Sequence, residues 1–275
     1  MDNKGQVDVV YTDFSKAFDK VNYGILLNKL SLFGLNDNLI LLIKSYLSQR
    51  ELYVSYNGFK SENFIATSGV PQGSNLGPLL FILFINDLSL SLKSNHLFFA
   101  DDLKLFLSVS NLEDCLILQE QVDLVSRWCE NNQLPINIDK CKICSFTSKK
   151  EPLVFGYTLE NALLARCDNV KDLGVIYDNR LSFTDHINTI INAANRSLSF
   201  IVRNSSSFND VTALKCLFYS LVRSKLEYCS LIWYPYYQIH TNKLEKVQRR
   251  FLKFLSFRID GYYPNRGFEH RLLLD

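Results

Sequence analysis

Long apolar runs are missing from this 275-residue chain. Its most apolar stretch, Pro78 to Ile85, stops at Asn86-Asp87. That is far short of the ~20 residues that cross a bilayer, so it reads as a buried helix and no membrane is expected as a partner. The opening residues, Met1 to Gln6, hold no apolar segment, so no secretory signal is expected there. A disulfide framework is also missing. The seven cysteines (115, 129, 141, 144, 167, 216 and 229) are odd in number and scattered through apolar surroundings, and they read as buried thiols of a reducing compartment. Cys141-Lys142-Ile143-Cys144 has no second pair to complete it. On a strand, positions i and i+3 face opposite sides, which argues against zinc. There is no internal repeat and no low-complexity linker.

Net charge is nearly absent as well, at +2, but it divides unevenly. Residues 1–195 hold 17 Lys+Arg against 22 Asp+Glu, whereas residues 196–275 hold 13 against 6. An acidic, cation-collecting part followed by a basic part suits a protein that handles a polyanion. What is present is otherwise ordinary: 47% hydrophobic and 21% charged residues, enough chain for one large domain or two modest ones.

Pattern along the chain predicts a strand over 6–14, a helix over 22–35 ended by Gly34, and a helix over 36–48 capped by Asn36 or Asn38. A hairpin follows over 52–66, turned at Asn57-Gly58. After a Gly/Pro/Ser-rich loop at 67–78 come the apolar helix to about Leu90, a helix over 112–131, and strands over 141–147 and 172–177. Beyond Thr184 the patterns are long and helical, over 185–203, 210–232 and 241–257. The expected fold is α+β, an antiparallel sheet backed by helices over 1–183, followed by an all-helical region over 184–275.

Phe99-Ala100-Asp101-Asp102 carries the most chemistry. Apolar strands flank it on both sides, and two adjacent carboxylates at a turn repel each other unless a cation sits between them. Asp13 ends a further strand, Val7 to Thr12. Acids converging from two strands can hold a pair of Mg²⁺ ions for in-line phosphoryl transfer. Neighbours on a strand point to opposite faces, so Asp101 and Asp102 differ unless the turn swivels one of them, and Asp102 ranks as the weaker ligand.

Three segments then fall in order: Tyr11-Thr12-Asp13-Phe14-Ser15-Lys16-Ala17-Phe18-Asp19, Ser68-Gly69-Val70-Pro71-Gln72-Gly73-Ser74-Asn75-Leu76-Gly77-Pro78, and Phe98-Phe99-Ala100-Asp101-Asp102. They resemble the A, B and C motifs of reverse transcriptases of non-LTR (LINE- and Jockey-like) retrotransposons. Gln133 to Lys142 resembles the D motif of that family, and Val170-Lys171-Asp172-Leu173-Gly174-Val175 the E motif.

The resemblance implies a palm followed by a helical thumb, and RNA-directed DNA polymerisation: attack of a primer 3′-hydroxyl on a dNTP along an RNA template. Asp13, Asp101 and Asp102 are implied as ligands of two Mg²⁺ (or Mn²⁺) ions, and Lys140 as the proton donor to departing pyrophosphate, with Lys142 its rival. Phe18 matches the position that stacks under the incoming sugar and excludes a 2′-hydroxyl. Phe14, Gln72 and Gly73 are implied as further substrate contacts, and Gly174 as a nucleic-acid contact. Asp19 reads as structural, placed where its charge favours the start of the following helix.

The basic face Lys246, Arg249, Arg250 and Lys253 lies opposite Leu244, Val247, Phe251 and Phe254. In a thumb it tracks phosphates of RNA template and DNA primer. A nuclear or cytoplasmic ribonucleoprotein is the implied setting. Only twelve residues precede Asp13. The resemblance implies about a domain of basic fingers there, so a fragment is expected. Two functions stay open: the polymerase itself, or a catalytically inactive remnant that binds nucleic acid.

Overall fold

The computed structural model describes residues 5–205 and 210–263, and the expectation about Met1 to Lys4 lies outside them. The chain divides into two compact units after Asp168. The division comes ahead of the expected 183/184 boundary because a β-hairpin shares the second unit with the helices.

The first unit runs β1 (Gln6–Thr12), α1 (Tyr23–Leu32), α2 (Asp37–Leu47), β2 (Glu51–Leu52), β3 (Ser55–Tyr56), β4 (Phe59–Lys60), β5 (Phe64–Ile65), α3 (Leu76–Ser91), β6 (Asn95–Phe99), β7 (Asp102–Ser108), α4 (Leu112–Asn132), β8 (Lys142–Thr147), β9 (Thr158–Leu159), β10 (Ala162–Leu163) and β11 (Ala165–Arg166). The central sheet has the order β11-β8-β1-β7-β6. All its pairings are antiparallel except β11 on β8, so the sheet is mixed at one edge, where the sequence suggested a purely antiparallel one.

Alternation explains the packing. Val10, Leu103, Leu105 and Ile143 point from the sheet into a core shared with Leu26 and Leu30 of α1, Phe81, Phe84 and Leu88 of α3, and Leu118, Val122 and Val125 of α4. α3 is buried along one side only. Leu79, Ile82 and Leu90 on its other side are exposed, a correction to the fully buried helix expected from its composition.

Behind the sheet, the Lys29 ammonium is almost wholly buried. It donates to Asp87 Oδ1 and to the Phe84 carbonyl, both at 2.8 Å, and Trp128 Nε1 donates to the same carboxylate at 3.1 Å. Burial draws its pKa down and the Asp87 contact opposes that shift. Removing one partner of such a pair strands a buried charge, so this knot fixes α1, α3 and α4 together.

Asparagines cap α1, α2 and α4. Asn22 accepts from Ile25 N–H, Asn36 from Leu39 N–H, and Asn111 forms a capping box with Asp114. Asn57 and Gly58 turn the β3–β4 hairpin with φ of 49° and 83°. Asp19 is a correction. It closes a 3₁₀ turn, Ala17–Asp19, and α1 begins later, under the Asn22 cap.

The second unit runs β12 (Asn169–Asp172), β13 (Val175–Asp178), α5 (Thr184–Asn204), α6 (Val211–Phe218), α7 (Ser224–Glu227), α8 (Ser230–Trp233) and α9 (Gln238–Asp260). The single strand expected over 172–177 is a hairpin turned at Leu173-Gly174, with φ of 43° and 87°. The hairpin precedes Thr184, and the elements among the described residues from Thr184 to Asp260 are all helical, as expected. The helix expected over 210–232 is interrupted by a π turn at Tyr219–Arg223 and a left-handed Cys229. Leu198, Ile201, Leu214, Phe218, Val247, Phe251 and Leu255 make its main core, with Phe218 and Phe251 stacked at 4.0 Å. No helix among the described residues is long and apolar enough to cross a membrane.

Gly69 offers a sharp stability test. Its φ is +83°, and a Cβ there would lie 2.6–2.7 Å from the Asp19 backbone. Left-handed strain of about 1–2 kcal/mol adds to the clash, so Gly69→Ala is expected to cost about 2–4 kcal/mol in a denaturant melt. A variant within about 0.5 kcal/mol of the parent contradicts this packing.

Candidate functional site

Asp13 is the first residue beyond β1. The β1–β7 register runs Val10↔Leu105, Tyr11↔Lys104, Thr12↔Leu103. One further step sets Asp13 opposite Asp102, and directly opposed residues share a face. Thr12 ties the two strands by donating its hydroxyl to the Leu103 carbonyl at 3.1 Å. Asp102 opens β7 opposite Phe99, leaving Ala100 and Asp101 as the turn, with Ala100 left-handed at φ 52°. Asp101 thus escapes strand alternation. The acid ranked second from the sequence is the one that the register sets beside Asp13.

The loop between α4 and β8 grips the same point. Ser15 N–H donates to the Pro135 carbonyl at 2.8 Å and Asn137 N–H to the Asp13 carbonyl at 2.7 Å, while Phe14 bridges Ile136. Asp13 N–H donates to Cys141 Sγ at 3.4 Å, and that thiol donates to the Asn137 carbonyl at 3.2 Å. Burial pushes the Cys141 thiol up to about 11, which keeps its proton available for that bond. Lys140, delivered by this loop, stands 3.4 Å from Asp13 Oδ2. Cys141 was invisible as a site residue in the sequence, because only the fold brings it under Asp13.

The Gly/Pro loop is stitched to the chain after Asp13 in the same way. Gly69 N–H donates to Val21 O at 2.9 Å, Val70 N–H to Phe18 O at 2.7 Å, and Ser68 Oγ to Asp19 O at 2.8 Å. Arg50 holds the loop from behind through the Gly69 carbonyl and the Tyr23 hydroxyl, each at 2.7 Å. Gln72 is exposed and donates to Asp19 Oδ1 at 2.9 Å, while Gly73, at φ 81°, is open to solvent. The Phe18 ring is half-buried and stacked on Phe81 at 4.5 Å. Phe14 is 3% exposed and meets Trp128 edge-on, so its ring faces the core and only its backbone borders the site.

In the second unit, Gly174 lies at the β12–β13 turn, where Tyr228 donates to the Leu173 carbonyl at 2.9 Å. α9 buries Val247, Phe251 and Leu255 and exposes Lys243, Lys246, Arg249, Arg250 and Lys253. These five line an open groove of about 910 Å³ shared with Asn195 of α5. Arg250 is braced across it, by Asn195 Oδ1 at 3.4 Å and Ser199 Oγ at 3.2 Å, and Lys243 by Asn188 Oδ1 at 3.3 Å. The α5 contribution has no signature in the sequence beyond a polar helix face.

An all-carboxylate donor set has the right chemistry for a hard divalent cation. Among the described residues, however, no three His, Cys, Asp or Glu side chains gather at ligand spacing, and the charge beside Asp13 is an ammonium. An exposed pair of this kind is worth up to about 1 kcal/mol. Lys140→Met is therefore expected to tighten Mn²⁺ binding about two- to five-fold, read by electron paramagnetic resonance. An unchanged dissociation constant contradicts competition at Asp13.

A profile of the family "Reverse transcriptase (RNA-dependent DNA polymerase)" matches residues 1–177. The RNA-directed DNA polymerase from mobile element jockey of Drosophila melanogaster is 31% identical over 277 residues, covering 93% of this chain and 29% of that protein. Its counterpart from Drosophila funebris is 29% identical, with the same coverage, 93% and 29%. The probable RNA-directed DNA polymerase from transposon BS of Drosophila melanogaster is 28% identical, covering 97% and 30%. The chain thus spans under a third of the length of these relatives. Among solved structures, apo telomerase from Candida tropicalis is similar with a TM-score of 0.45 at 14% identity, covering 92% of this chain and 46% of that one. The chain belongs to the reverse transcriptase family, among the jockey-like enzymes of non-LTR retrotransposons.

Proposed function

We propose that this chain is the palm and thumb portion of a retrotransposon reverse transcriptase, and that by itself it holds an RNA–DNA hybrid without extending it. The basic groove between α9 and α5 carries the reading: five exposed cations along one helix face suit a run of backbone phosphates. Two observations speak against extension by this stretch alone. The acids are not gathered at ligand spacing among the described residues, and Asp13 faces Lys140.

A second reading, that the stretch itself polymerises, is favoured by the register that sets Asp13 opposite Asp102 with Asp101 in the adjoining turn. On that reading Asp13, Asp101 and Asp102 would hold Mg²⁺, which activates the primer hydroxyl and steadies the leaving group. Lys140 would release Asp13 and give its proton to pyrophosphate. Phe18, held flat by Phe81, would crowd a 2′-hydroxyl, and Gln72 and Gly73 would border the templating base. The Gly174 turn would border the primer.

Fluorescence anisotropy with a labelled hybrid tests the groove. Log affinity is expected to fall linearly with log salt, with a slope of about −3 to −5 for four to five covered phosphates. A slope near zero removes the thumb assignment.

A further inference from the structure

Cys144 and Cys167 stand opposite each other on adjoining parallel strands. β11 pairs with β8 in the register Ala165↔Lys142, Arg166↔Ile143. One more step sets Cys167 against Cys144, and Cys167 N–H donates to the Ile143 carbonyl at 2.9 Å to hold it there. Directly opposed residues on neighbouring strands share a face about 4.8 Å apart. A disulfide bridges Cα atoms about 4.4–6.8 Å apart. Both thiols are free, and the Cys167 Sγ–H donates to the same Ile143 carbonyl at 3.5 Å.

Their surroundings differ. Cys144 is fully buried, whereas Cys167 is half-buried and follows the last residue of a two-residue strand, where the backbone can adjust. The adjacent Cys144 thiol, with Lys142 and Arg166 nearby, draws the Cys167 thiol below its ordinary value, against burial and the Asp168 carboxylate. The adjacent Cys167 thiol, and burial, push Cys144 up. Arg166 is itself fixed, by Ser145 Oγ and the Phe155 carbonyl. A half-exposed sulfur beside two cations, with a second cysteine opposite it on the next strand, is the arrangement of a nucleophilic thiol and its resolving partner.

We propose that Cys167 and Cys144 form a reversible, hydroperoxide-responsive disulfide that fastens β11 to the sheet. The Cys167 thiolate attacks one oxygen of hydrogen peroxide. An S–O bond forms, the O–O bond breaks and hydroxide leaves, so the sulfur is oxidised by two electrons and the peroxide is reduced. The Cys144 sulfur then attacks the sulfenic sulfur. The S–S bond forms, the S–O bond breaks, and hydroxide departs with the Cys144 proton as water. Two thiols and one peroxide give a disulfide and two waters, and a dithiol reverses the reaction.

The test uses the whole 275-residue chain, treated with hydrogen peroxide, blocked with N-ethylmaleimide and cut with trypsin. Cleavage at Lys142, Lys149, Arg166 and Lys171 leaves each of the two cysteines alone in its peptide, 143–149 and 167–171. Mass spectrometry is expected to find these two peptides joined, ahead of any oxidation of the exposed Cys216, and separated again by dithiothreitol. The oxidation rate should rise with pH and level off below the range of an ordinary thiol. Cys144→Ser should stall Cys167 at the sulfenic stage, trapped by dimedone. Cys167→Ser, at a half-exposed position, should leave Cys144 reduced under the same treatment. No joined peptide, or Cys167 oxidised no faster than Cys216, overturns the proposal.

Discussion

Replacing Arg249 and Arg250 together with alanine is expected to weaken RNA–DNA hybrid binding about tenfold or more at ~50 mM salt, and to flatten the salt slope by about one to two units. Both side chains are exposed on α9 and line the groove with Lys246 and Lys253. Each cation that neutralises a phosphate releases about one condensed counterion. Losing two phosphate contacts must therefore reduce affinity and salt sensitivity together, and do so equally on unrelated sequences. The two arginines are not equivalent. Arg250 is held by Asn195 and Ser199, so its guanidinium is already oriented and loses little freedom on binding. Arg250→Lys should consequently cost more than Arg249→Lys, because an ammonium cannot reproduce the braced, forked geometry. Since Val247 and Phe251 fill the opposite, buried side of the helix, the double substitution should leave the thermal midpoint near that of the parent. Binding that ignores both salt and these arginines contradicts the groove.

Asp101→Ala is expected to lower primer extension on the order of 10²–10³-fold or more when this stretch is placed within a full-length jockey-type enzyme. Hybrid binding should be unchanged, because the substitution touches a turn in the first unit and no groove residue. Asp13→Asn should match it. An amide keeps the backbone contacts to Asn137 and Cys141 but removes the charge that draws a divalent cation. Asp102→Ala separates two readings of the acids. The sequence ranks it behind Asp101, while the register sets it opposite Asp13. A loss as deep as that of Asp101→Ala assigns Asp102 an equal share. Activity of Asp101→Ala within tenfold of the parent sinks its assignment as a ligand.

What the sequence disclosed was local. The Asn36 cap, the Asn57-Gly58 turn and the basic stripe of α9 all depend on neighbours within a turn or two, and each is found as expected. What it concealed depends on distant partners. The parallel edge strand β11 has two residues, too few for any period to register. The β12–β13 hairpin reads as one strand in the sequence because Leu173, the non-glycine half of its turn, adopts φ 43°. Asp8 lies wholly buried, accepting from Gln6, Ser145 and Tyr157, and nothing in the pattern of β1 distinguishes this structural acid from Asp13 five residues on. The family motifs were legible as words in order, whereas the hydrogen bonds that stitch the Gly69 loop and the Cys141 loop around Asp13 belong to the fold.

Binding and extension can be read in one tube. The 275-residue chain is mixed with a labelled DNA primer on an RNA template, dNTPs and Mg²⁺ or Mn²⁺, and is followed by anisotropy and by gel. Salt-sensitive binding with no primer elongation above background is expected, and robust extension by the chain alone would contradict the inactive-fragment reading.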